Sequence, residues 1–189
     1  MTAIKHTLVA LVEDKPGVLN RVASLFRRRG FNIESIVVGR SELPRLSRMT
    51  IVINGSTTIV EQVRKQLDKV VDVVKVSDIT GDDTVARELA LIKVGATSST
   101  RSEIMQIVDI FRANIVDVAS DSVTVEVTGD EEKINSLFNL LRGFGIKEMT
   151  RTGRIAMTRG SPGRLPVGGR SSRAQAKRQK TKGPLSGEA

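Results

Sequence analysis

Apolar and polar residues alternate from Ile4 to Val12, the two-residue period of a strand resting on a core. The period then changes. Leu19, Val22, Ala23 and Phe26 fall at i, i+3, i+4 and i+7, which predicts a helix burying that stripe. Ile33, Ile36, Val37 and Val38 form a second strand, and Met49, Ile51 and Ile53 alternate as a third. An Asn54-Gly55 turn leads to a helix carrying Val60, Val63 and Leu67, and Val71 to Ile79 closes the unit. The order is βαββαβ. The same order follows once more, with Glu88 to Val94 as a strand and Ile104, Ile107, Val108 and Phe111 as a helix stripe. Ile115 to Val118 and Val123 to Val127 are strands joined across Ser120-Asp121. A helix with Ile134, Leu137, Phe138 and Leu141 ends at Gly143, and a last strand runs from about Lys147.

A βαββαβ unit closes as a four-stranded antiparallel sheet with both helices on one face, because each crossover is right-handed and each helix must bury its stripe. The expected fold is α+β: two ferredoxin-like sandwiches in tandem, at 1–80 and 87–158, with a linker at 81–86 around Gly81-Asp82-Asp83. One face of each sheet has no helices. Thr7, Val9 and Leu11, with Ile51 and Ile53, are expected to put apolar area there that a partner must cover or an added strand must extend. A homodimer through the first halves is the expectation.

Charge refines the boundaries. The formal charge is +9, yet residues 159–189 carry eight Lys or Arg against Glu188, or +7, which leaves +2 for residues 1–158. That Gly-, Pro- and Ser-rich segment has two Leu, one Val and no aromatic residue, so a disordered basic tail is expected. The absence of cysteine rules out disulfides and thiolate metal sites. Without an apolar run of about 18 residues or a signal-peptide pattern, the chain is expected to be soluble and cytoplasmic.

The most informative chemistry lies between the first strand and the first helix. Asp14-Lys15-Pro16-Gly17 places the unpaired N–H groups of a helix's first turn, and the positive end of its dipole, beside a loop. A carboxylate suits that position. Gly17 permits close approach to the backbone, and Pro16 fixes φ where no N–H is needed. Asn32, opening the second strand, offers an amide that accepts from an ammonium and donates to a carboxylate. Together they suit a free amino acid. An ordinary Pro-Gly turn with Asp14 as helix cap accounts for the same spacing.

The segments Val12-Glu13-Asp14-Lys15-Pro16-Gly17-Val18-Leu19, Arg29-Gly30-Phe31-Asn32-Ile33-Glu34-Ser35, Leu46-Ser47-Arg48-Met49-Thr50-Ile51 and Gln66-Leu67-Asp68-Lys69-Val70-Val71-Asp72-Val73 carry a family resemblance. The chain resembles the ACT-domain regulatory small subunits of acetolactate synthase over residues 4 to about 158. The resemblance implies a feedback sensor that has no catalytic site or cofactor of its own. It implies valine bound between two ACT domains, with Asp14 and Gly17 of one chain facing Asn32 and Ile33 of its mate. Val37, Gly39 and Gln62 are the neighbouring positions. Asp14 stands where many relatives have Asn, and an ionised Asp can pair with the ligand ammonium but cannot donate to its carboxylate. The implied partner is the catalytic large subunit, which would hold thiamine diphosphate, Mg and FAD. The alternative is a stand-alone ACT sensor of free branched-chain amino acids acting on another enzyme.

Two other classes are disfavoured by the residues. His6 is the single histidine, within a strand and with no acid at a relay spacing, and no phosphate-loop pattern exists, so a catalytic centre is not expected. RNA-binding sandwiches stack bases on strand aromatics, whereas Phe26, Phe111 and Phe138 lie on helix faces and Phe31 and Phe144 lie beside glycines. Arg27-Arg28-Arg29 suits the negative end of the first helix dipole.

Overall fold

Glycine and charge set the ends of the first helix. The computed structural model describes residues 4–160, so the basic tail lies outside the described residues beyond Gly160. The described chain divides into two compact units, one holding residues 4–83 and 158–160 and one spanning Thr84–Met157.

The first unit runs β1 (Ile4–Glu13), α1 (Val18–Arg29), β2 (Ile33–Arg40), β3 (Leu46–Gly55), α2 (Thr57–Leu67) and β4 (Val73–Asp78). Its antiparallel sheet has the order β2-β3-β1-β4. α1 stops because Gly30 turns left-handed at φ 67°, letting the amides of Gly30 and Phe31 return to the carbonyls of Arg27 and Phe26. Arg27, Arg28 and Arg29 occupy its last turn, where cations offset the carbonyl end of the dipole.

Strand register decides which side chains meet the helices. Leu8 pairs with Ile51, Ala10 with Met49 and His6 with Ile53, so all six share one face. Leu8, Ala10, Val12, Met49, Ile51 and Ile53 join Val22, Phe26, Val60, Val63 and Leu67 in the core. This corrects the expectation that Ile51 and Ile53 share a face with Thr7, Val9 and Leu11. Those three oppose Val52, Thr50 and Arg48 on the other face. Nor is that face bare, for Val9 and Leu11 are 1% and 2% exposed.

A second correction concerns α1. Its buried stripe is Val18, Val22, Leu25 and Phe26, while Leu19 is 50% exposed and Ala23 is also exposed. The two candidate stripes share Val22 and Phe26, and α1 is rolled by one residue so that Val18 and Leu25 complete the core side.

In the second unit β5 (Thr84–Gly95), α3 (Arg101–Ile110), β6 (Asn114–Val118), β7 (Ser122–Gly129), α4 (Glu131–Leu141) and β8 (Ile146–Arg151) repeat the order, and β9 (Ile155–Thr158) is added. The sheet order is β6-β7-β5-β8, with β9 pairing to β5. Ala90, Ile92, Val94, Val123, Val125 and Val127 face Ile104, Val108, Ile134, Leu137 and Leu141 in its core. Because β5 begins at Thr84, residues 84–86 of the expected linker are strand. α4 is capped by Asp130, whose Oδ1 accepts from the Lys133 amide at 2.8 Å, with Glu131 and Glu132 in the first turn.

Candidate functional site

The loop between β1 and α1 is shaped by its neighbours. The Glu13 amide donates to the carbonyl of Asp72 and the Asp14 amide to that of Arg45, each at 2.8 Å. Arg45, at φ 62°, belongs to the β2–β3 hairpin, whose turn is tied by Ser41 Oγ to the carbonyls of Leu43 and Leu46. The β1 end of the loop therefore leans both on the approach to β4 and on a hairpin.

Asp14 does not cap α1. The N-cap is Gly17 at φ 87°, without a side-chain hydrogen bond, and the first turn of α1 contains no acidic residue. A Cβ built on Gly17 would meet nothing within 4 Å, so the space above it is open. A side chain there would occupy that space and would also be strained in the left-handed region. Asp14 and Gly17 are both exposed. An uncapped helix N-terminus facing open space is what a small carboxylate needs.

Charged groups line the inner side of the loop. Asp72, 1% exposed, accepts from Arg21 Nη1, and its other oxygen lies 3.4 Å from Lys15 Nζ. Lys15 also pairs with Glu13. Its ammonium is held above the usual lysine range chiefly by the Glu13 hydrogen bond and then by Asp72, with desolvation opposing.

The other expected residues lie elsewhere. Asn32 is exposed, and Ile33, half-buried against the core, sits opposite Ile53 and so level with His6 at the far end of β1. From His6 to Glu13 the strand rises roughly 23 Å at about 3.3 Å per residue. α1, which links the two groups, spans about 18 Å by its 12 residues. Within one chain, Asp14 and Gly17 lie at one end of the sheet and Asn32 and Ile33 at the other. Val37 and Gly39 pair with Thr50 and Arg48, so they belong to the helix-free face near the Asp14 end. Gln62 is exposed on α2. Within one copy the expected residues therefore fall into separate groups rather than one cluster.

β2 is an edge strand of the sheet. α2 packs on β3 and β4, which leaves α1 on the β2 side of the helix layer. Leu19 and Ala23 on α1 and Val38 on β2, 45% exposed, are the apolar groups on the helix side there.

The match extends beyond the loop. A family model described as "AHAS small subunit-like ACT domain" matches residues 8–75, and one described as "Small subunit of acetolactate synthase" matches residues 87–160. The "Probable acetolactate synthase small subunit" of Archaeoglobus fulgidus is 57% identical over 158 residues, covering 84% of this chain and 99% of its own. The chain belongs to the acetolactate synthase small-subunit family. The acetolactate synthase small subunit of Mycobacterium leprae is 51% identical over 158 residues, 84% of this chain and 94% of its own. A crystal structure of the Thermotoga maritima small subunit superposes with a TM-score of 0.77 at 44% identity, covering 84% of this chain and 99% of that one. The tandem ferredoxin-like architecture and the family expected from the motifs both stand. Membership also agrees with a non-catalytic subunit whose chemistry resides in a larger partner.

Sequence reasoning missed Arg21, Asp72 and Asp78. His6 is 5% exposed, and Asp78 Oδ2 lies 3.7 Å from its Nδ1, so an acid does stand near the histidine although none is close in sequence. Asp78 Oδ1 accepts from the Thr80 hydroxyl at 2.5 Å and from the Thr80 amide at 3.0 Å. Among the described residues, no cluster of His, Asp or Glu could hold a metal, and no helix is long and apolar enough to cross a membrane.

Proposed function

We propose that this chain is the feedback-sensing subunit of acetolactate synthase, binding free valine between the ACT domains of two copies and so lowering the activity of the catalytic subunit. It also raises that subunit's turnover when valine is absent. The observation that carries the reading is the separation of the half-sites to opposite ends of β1 and α1. An antiparallel pairing of β2 with β2 of a second copy sets the head of one sheet against the foot of the other. Asn32 of one copy then lies beside the β2–β3 hairpin of the other, and that hairpin carries Asp14 through Arg45. The same pairing removes an exposed edge and covers Leu19, Ala23 and Val38.

In the complete pocket, α1's first-turn amides receive the ligand carboxylate, and the exposed Asp14 carboxylate takes its ammonium. Ile33 supplies apolar contact, whereas Val37 and Gly39, on the helix-free face of β2, and Gln62, on α2, lie away from it. Valine binding stabilises one arrangement of the dimer, with a coupling of about 1–3 kcal/mol to catalysis. Thiamine diphosphate, Mg and FAD belong to the catalytic partner.

The test mixes the full-length chain with its cognate catalytic subunit and measures acetolactate formation with and without valine, leucine and isoleucine. Activation by the subunit, and its reversal by valine, is the expected result. No effect on acetolactate formation would favour the stand-alone sensor acting on another enzyme.

A further inference from the structure

The pocket residues are all exposed or half-buried, yet a buried charge stands directly behind them. Asp72 sits in the turn before β4, with a side chain 2% exposed, and faces two cations from the ligand loop and the adjoining helix, Lys15 and Arg21. A lone buried carboxylate is costly, and pairing with cations offsets that cost only where the geometry is held. Here three contacts converge on one residue: Arg21 Nη1 on Oδ2, Lys15 Nζ on Oδ1, and the Glu13 amide on its carbonyl.

We infer that Asp72 is the positioning residue of the ligand loop, holding Glu13 to Gly17 in the shape that aims α1's first-turn amides at a carboxylate. This rests on the proposed amino-acid site. Arg21 lies one turn into α1, so its bond to Asp72 fixes the start of that helix against β4. Lys15 lies two residues before Gly17, and its bond fixes the approach to the turn. Asp72 also keeps both cations turned inward, so the ligand carboxylate meets backbone amides rather than mobile side chains. Without the Asp72 charge, Arg21, whose side chain is already 58% exposed, swings into solvent and Lys15 keeps only Glu13.

The experiment compares the full-length protein with Asp72→Asn and with the milder Lys15→Met. Amide hydrogen exchange by NMR in the absence of ligand reads the loop directly. About tenfold faster exchange is expected at Glu13 and Asp14 in Asp72→Asn, with Val22 and Phe26 of α1 unchanged. Lys15→Met should show the same pattern at smaller amplitude, and it decides the matter if Asp72→Asn does not fold. Calorimetry should show valine affinity about tenfold weaker in Asp72→Asn, with Arg21→Lys close to the native protein and Arg21→Met weakened. Wild-type exchange rates at Glu13 and Asp14, or uniform acceleration across the first unit, would overturn the inference. If the native protein ignores valine but the exchange pattern appears, the proposed ligand fails and the anchor stands.

Discussion

The two units are built on one plan and finish it differently. β1 and β5 each shift register by one residue against the outer strand, at Leu11/Val12 and Lys93/Val94, and β2 and β6 each shift at Ile33/Ser35 and Ile115/Asp117. Asn114 stands where Asn32 does, and Arg112 at φ 49° follows α3 as Gly30 at φ 67° follows α1. The strand-to-helix loops part company. In the second unit the Thr97 amide donates to Thr100 Oγ1 at 2.9 Å and the Thr100 amide to Thr97 Oγ1 at 3.3 Å, while the Thr97 hydroxyl lies 2.9 Å from that of Ser99. Arg101 Nη2 then donates to the carbonyl of Ala119 at 2.8 Å. Neither helix has a side-chain N-cap bond, and the difference lies in the loops: Thr97, Ser99 and Thr100 bond to one another before α3, whereas the loop before α1 ends in a left-handed glycine. The scaffold supplies the position, and the loop residues decide what can be built there.

The largest expected effect tests whether both units depend on their helix stripes alike. Phe26→Ala should cost the first unit about 3–5 kcal/mol, and Ile104→Ala the second about 2–5 kcal/mol, read by denaturant unfolding with amide signals of each unit. Equal effects of either change on both units would erase the division between them. Next, Gly17→Asp should weaken valine binding by about a hundredfold, about 2.7 kcal/mol, because it strains a positive φ and sets a carboxylate where the ligand's belongs. Ser99→Asp, at the matching loop, should leave calorimetric affinity unchanged; a parallel loss would mean the second loop also takes the ligand. Asn32→Ala should cost about tenfold in affinity, about 1.4 kcal/mol, and Asn114→Ala nothing.

The smallest effect concerns pH. The Arg64 hydrogen bond lowers the Glu61 carboxyl to about 2, and Lys65 adds to this. A depressed carboxylate contributes stability above its ordinary value of 4.5, and that contribution is lost as pH falls through about 2. Glu61 should therefore still be ionised at about pH 3 by NMR titration, and Arg64→Met should return it toward the ordinary range.

Much of this was legible in the residues because periodicity and turn chemistry are local. The paired βαββαβ order, the stripes of α2 and α4 and the Pro16-Gly17 turn all follow from neighbours a few positions apart. What depended on distant pairing did not. Whether Ile51 faces the helices is set by its register with Leu8, and a slip of one residue would reverse it. Leu19 and Leu25 are equally apolar, and only the docking of α1 separates the exposed one from the buried one. Asp72 is an unremarkable acid in sequence, and its partners Lys15 and Arg21 lie more than fifty positions earlier. The candidate residues Asp14, Gly17, Asn32 and Ile33 could be named from the sequence, but not the distance between them, because that needs the direction of every strand between them.

That separation has a genetic corollary. If each pocket takes Gly17 from one copy and Asn32 from the other, a mixed dimer of a Gly17→Asp chain with an Asn32→Ala chain gathers both lesions into one pocket. The second pocket is left entirely native. Two alleles, each weakened in its response to valine alone, would then complement one another when expressed together and restore one working sensor per dimer.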